Sequence, residues 1–181
     1  MTLALAGCTI HRSEEETTTS SVKSTNAKGP LVIKKEQITV MEVNKAREDW
    51  ANAIIAIGAA GEESLEKAKE VVELQYDFDE GTVLFKPMKV AQQSFRSTKT
   101  EAISYFVGGE VSEGHGFALQ LWKKVHFGNH DTIIDNDSAV ASGEYYKTGE
   151  ETKAEYTFGF IKNHEVKLKI NLHHSSLPYG G

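Results

Sequence analysis

From Trp122 onward the hydrophobic period of this chain is two, and it stays two almost to the end. Successive strand residues point to opposite faces, so such alternation commits a segment to a half-buried β-strand. The segments KKVHFGNHDTIID, SAVASGEYY, KAEYTFGFIK and EVKLKINLHH carry the pattern, each bounded by Gly, Asn or Asp. Asn163-His164 is predicted as the turn of a hairpin joining the last two. Strict alternation in the final strand puts Val166, Leu168, Ile170, Leu172 and His174 on one face. Lys167, Lys169, Asn171, His173 and Ser175 share the other.

Ahead of these strands the period is helical. Thr39 with Glu42 three residues on fits a capping box, and Val43, Ala46, Trp50, Ile54 and Ile57 form one apolar stripe up to Gly58. A second helix is predicted over about 62–75, with Leu65, Ala68 and Val72 inward. TVLFK reads as a strand stopped by Pro87, and residues 101–106 as a short helix ending at Gly108-Gly109. Helices followed by an antiparallel meander give an α+β fold, the helices packed on one face of a curved sheet. The resulting cone with an internal pocket is similar to the NTF2-like group, and such a fold leaves function open.

Composition excludes several classes. The chain has 181 residues, 39% hydrophobic and 25% charged, enough for one domain with a core. A net charge of −6 gives no case for nucleic acid, and one cysteine rules out a thiolate cluster. No apolar run of roughly 18 residues is present to span a membrane. At the start, Leu5-Ala6-Gly7-Cys8 resembles a bacterial lipobox, and residues 9–30 are too polar to bury a core. The expectation is a truncated lipoprotein signal with a lipid anchor at Cys8 and a tether over 1–30. A domain over 31–181 would then face the periplasm; a cytoplasmic protein is the alternative.

The stretch INLHHSSLPY concentrates the candidate chemistry. Adjacent strand residues diverge, so His173 and His174 do not readily share one metal ion. His11, His115, His126, His130 and His164 lack ligand spacing. Ser beside His at a strand end is no nucleophile elbow. A polar pair ending an apolar row fits the wall of a small-molecule pocket better, against the plainer reading of a terminal histidine bonded to backbone. Alternation favours His174 and Ser176 facing inward; a bulge at the strand end would exchange them for His173 and Ser175.

VLFKP at 83–87, SFR at 94–96, AISYFVGG at 102–109, GFAL at 116–119, EYTFGFIK at 155–162 and INLHHSSLPY resemble, in that order, the iota-class carbonic anhydrase family. The resemblance spans about 43–179. It implies a homodimeric NTF2-like domain interconverting CO2 and bicarbonate. It also implies a metal-free hydrogen-bonded pocket, with zinc or manganese as the alternative. Tyr105 and the His and Ser of HHSS (His173, His174, Ser175, Ser176) correspond to family pocket residues. The family has Thr directly after FKP; Met88 stands there, without a hydroxyl to donate. Thr98 and Thr100 are the expected substitutes. A non-catalytic ligand-binding module and a metal-dependent lyase or hydrolase are the rival functions.

Overall fold

In this computed structural model residues 37–120, 122–147 and 153–180 are described, all within the compact unit Lys34–Gly181. The Cys8 motif and the polar segment 9–30 lie outside the described residues.

Helix α1, Val40–Ala59, starts at the expected capping box. Thr39 Oγ1 accepts from the Glu42 N–H at 3.2 Å, and the Glu42 carboxylate accepts from the Thr39 N–H at 2.8 Å. Such caps contribute about 1 kcal/mol. Val43, Trp50, Ile54 and Ile57 are fully buried. A Cβ on Gly58 would sit 2.4 Å from the Ala118 carbonyl oxygen, so glycine lets the turn Phe117–Leu119 lie directly on this helix. Helix α2, Ser64–Gln75, buries Ser64, Ala68, Val71 and Val72. Leu65, predicted inward, is instead 47% exposed. Ser64 takes the inward position, its hydroxyl donating to the Ile57 and Gly61 carbonyls. Helix α3, Lys99–Val107, is capped by a second box, Thr98 with Glu101, and stops at Gly108, whose φ of 81° suits glycine.

The sheet has order β1-β5-β4-β3-β2. Strands β2 (Val125–Asp135), β3 (Ser138–Lys147), β4 (Ala154–Lys162) and β5 (Leu168–Ser176) form the antiparallel meander read from the sequence. Strand β1 (Leu84–Lys86) adds to it in parallel beside β5, making the sheet mixed. The α+β architecture is thus as expected, with the helices against one face, but the sheet is mixed rather than wholly antiparallel.

Two local expectations change. The β4–β5 turn is longer than Asn163-His164: the Asn163 N–H donates to Lys167 O, and the Asn163 side chain accepts from the Glu165 and Lys167 amides. This leaves Val166 in the turn at φ 63° rather than in the strand. The other change decides the site. Phe160 pairs with Ile170 but Gly159 pairs with Leu172, so Asn171 is an extra residue in β5. A Cβ on Gly159 would meet Asn171 Oδ1 at 2.8 Å and Leu172 Cβ at 2.9 Å. Both side chains therefore crowd one face opposite a glycine, the arrangement of a β-bulge. Beyond it every side chain of β5 changes face.

Candidate active site

The bulge selects which of the HHSS residues enter the interior. His173 and Ser175 are 1% exposed, whereas His174 is exposed and Ser176 half-buried on the outer face. Strict alternation, which would turn His174 and Ser176 inward, fails here; the bulge alternative holds, within the strand rather than at its end. Ser176 Oγ instead donates to the Glu155 carboxylate at 3.0 Å.

Register then furnishes the surroundings of His173. Its pairing partners are Phe85 on β1 and Phe158 on β4. Their rings lie 4.4 Å (stacked) and 4.6 Å (edge-on) from the imidazole. Nδ1 is 2.8 Å from the Tyr76 hydroxyl, which accepts from the Trp50 indole N–H at 3.0 Å. An indole can only donate, so the Tyr76 oxygen accepts from it and gives its own proton to Nδ1. That assignment pairs the indole N–H, the hydroxyl and Nδ1, and leaves the imidazole proton on Nε2. Burial, helped by His174, lowers the His173 pKa to about 3, so the ring is neutral at pH 7. A His173 titrating in the neutral range, as a proton acceptor would need, is not what the fold provides. Its Nε2 is buried without a hydrogen-bond partner.

Tyr105, on α3, is 5% exposed and its hydroxyl also lacks a partner. The ring stacks on Phe117 at 5.2 Å and meets Phe85 edge-on at 5.5 Å. Burial raises its pKa, keeping the phenol protonated. Each buried, unmade hydrogen bond costs about 1–3 kcal/mol. Both of these rings pack on Phe85, and each carries a buried donor without an acceptor.

Ser175 Oγ accepts from the Met88 N–H at 3.2 Å and is hydrogen-bonded to the Tyr145 hydroxyl. Met88 is buried. Two cavities, of about 80 and 240 Å³, share Met88, Lys89, Phe117 and Gln120 as walls. Tyr105 and His115 line the smaller, Tyr145 the larger. Thr98 and Thr100 are both exposed, and the Thr98 hydroxyl is spent on capping α3; neither replaces the hydroxyl missing at Met88. A broader cleft of about 540 Å³ between β2, β3 and β4 is lined by neither Tyr105, His173 nor Ser175. Among the described residues no group of three His, Cys, Asp or Glu side chains could hold a metal ion. Sequence alone missed Tyr76, Tyr145 and the hydrogen-bonding use of Trp50. Trp50 reads simply as core, and nothing in the spacing marks the two tyrosines.

Residues 41–177 match the family model described as metal-independent carbonic anhydrase. The chain belongs to the metal-independent carbonic anhydrase family. A metal-independent carbonic anhydrase from Nostoc sp. is 37% identical over 174 residues, 90% of this chain and 82% of that protein. A cyanobacterial iota-carbonic anhydrase crystallised with bicarbonate is 34% identical, with a TM-score of 0.76 over 85% of this chain and 99% of that one. A ketosteroid isomerase-like protein from Parabacteroides distasonis, 13% identical with a TM-score of 0.51 over 81% of this chain and 98% of that one, shares the fold alone. The absence of a required metal cofactor, read first from the resemblance, agrees with the description of the metal-independent carbonic anhydrases and of the Nostoc relative.

Proposed function

We propose that this chain is a carbonic anhydrase that hydrates CO2 reversibly to bicarbonate with its own side chains. The observation that carries the reading is the pair of buried, unpartnered donors Tyr105 O–H, which lines a small, largely apolar cavity, and His173 Nε2–H, behind the ring of Phe85. CO2 is apolar overall and suits walls of Met88, Phe117 and Tyr105. When water attacks its carbon, negative charge grows on the CO2 oxygens, where preorganised donors help most. Tyr105 and His173 are assigned that role. Ser175, held by the Met88 amide and Tyr145, orients the attacking water.

The released proton needs an acceptor, and a histidine with a pKa of about 3 is a poor one at neutral pH. His115 is exposed and lines the same cavity as Tyr105. An imidazole there can pass the proton to buffer. His174 and Ser176, on the outer face, are left without a role. Stopped-flow CO2 hydration with and without chelator tests the reading. A chelator-insensitive rate above buffer is expected; the absence of any rate overturns it.

Pairing of two copies is inferred from the outer sheet face. Register aligns Ile133, Val140, Gly159, Leu172 and Leu84 in one row across all five strands. Ile133, Val140, Leu84 and the nearby Phe95 are 41–72% exposed. A homodimer covering this row is the proposed assembly. The lipobox-like Cys8 supports a lipid-anchored protein facing the periplasm, tested by the mass of the mature N-terminus.

A further inference from the structure

A second buried group near the cavity has no use in the scheme above. Arg96 is 0% exposed. Its backbone N–H donates to Phe85 O at 2.9 Å, tying it beside β1. Phe95, one residue earlier, points out to solvent and is 63% exposed. Nη1 donates to the Gln93 carbonyl, but Nε and Nη2 are buried without a hydrogen-bond partner. The nearest carboxylate oxygen, Glu113 Oε1, is 3.8 Å from Nη2, beyond hydrogen-bonding reach.

Glu113 is committed elsewhere. Its carboxylate accepts the Ala91, Gln92 and Gln93 amides at 2.7–3.0 Å. Those bonds chiefly hold its pKa down at about 2, with Arg96 a smaller contributor. Arg96 is therefore a buried cation only partly neutralised, a costly arrangement unless something else completes it. Its field reaches the Tyr105 phenol, where it opposes the effect of burial. Tyr105 and Glu113 both line the cavity of about 80 Å³. That space suits a few waters or one small anion, since a cavity needs roughly 10–15 Å³ to hold a water.

We propose that Arg96 is the positioning charge that makes this cavity select a small monovalent oxyanion, acting through its field together with Tyr105 and tuned by Glu113. The proposal rests on the carbonic anhydrase reading only for the identity of that anion, bicarbonate. Charge, rather than shape, then sets retention of the product, and nitrate, an isosteric monoanion, competes for the same place. Two opposed changes follow. Removing the cation weakens anion binding, whereas removing the Glu113 charge leaves Arg96 less neutralised and strengthens it.

The test measures the bicarbonate KM in dehydration, together with binding of bicarbonate and nitrate by calorimetry. Arg96→Met is expected to weaken both anions at least tenfold and Arg96→Lys to keep them within about threefold, as charge loss in a low-dielectric site dictates. Glu113→Gln is expected to tighten both severalfold. If Arg96→Met fails to fold by near-ultraviolet dichroism, Arg96→Lys and Glu113→Gln decide the matter. Unchanged affinity in a folded Arg96→Met, or weakened affinity in a folded Glu113→Gln, overturns the proposal. Wild-type protein that binds these anions through Arg96 yet hydrates no CO2 overturns the enzymatic reading and leaves this inference standing. Wild-type protein that hydrates CO2 with an affinity indifferent to Arg96 does the reverse.

Discussion

Tyr105 differs from phenylalanine by one oxygen, and that oxygen is buried with nothing to bond. Tyr105→Phe removes an orphaned donor, so stability is expected to hold or rise slightly. CO2 hydration, by contrast, should fall about 100-fold, the scale of losing one transition-state donor; thermal melts and stopped-flow rates check both. His173 makes a different prediction because its pKa is depressed from 6.5 to about 3. The unfolded chain takes up a proton near pH 6.5 that the folded chain refuses until about pH 3. Stability from keeping this ring neutral is complete above pH 6.5 and is lost as pH falls through that window. Urea unfolding of wild type and His173→Gln between pH 7 and 4 should show a shallower acid slope in the variant, by at most about 1.4 kcal/mol per pH unit. At the cavity mouth, His115→Ala should slow hydration in weak buffer and recover in added imidazole, whereas the Tyr105→Phe defect should not.

At the level of elements, the bulge in β5 is the feature on which the interior set of side chains depends. Gly159 leaves the room that Asn171 and Leu172 fill together. Gly159→Ala is expected to strain or displace the bulge, costing about 1–3 kcal/mol. Activity should fall with it because the His173–Ser175 row loses its register; a melt and a rate on the same sample test this, and an unaltered rate would detach the site from the bulge. This is also where the sequence was hardest to read. The helix caps at Thr39 and Thr98 depend on neighbours three residues away, so their signals are local. The strands of the meander declare themselves by period. A bulge depends on what lies across the ladder, and alternation within one strand carries no record of it. The parallel pairing of β1 with β5 joins distant segments and is equally silent. Tyr76 was missed for the same reason: its partner His173 lies on another element. The family resemblance supplied HHSS as a site, and only the fold chose between its two halves.

Across the whole molecule, one sheet face is sealed by helices and the other carries the exposed apolar row. Leu84→Glu with Phe95→Glu, both outward-facing, should leave the melt nearly unchanged while shifting sedimentation from dimer to monomer. A wild-type monomer at micromolar concentration would dismiss the pairing. The stacking of Phe85 on His173 has a temporal implication as well. One ring comes from β1 and the other from β5, so the two cannot meet until β5 has been made. A chain cut before Leu172 keeps both long helices and the sequence of three meander strands, yet it lacks His173 and Ser175, and with them the proposed site.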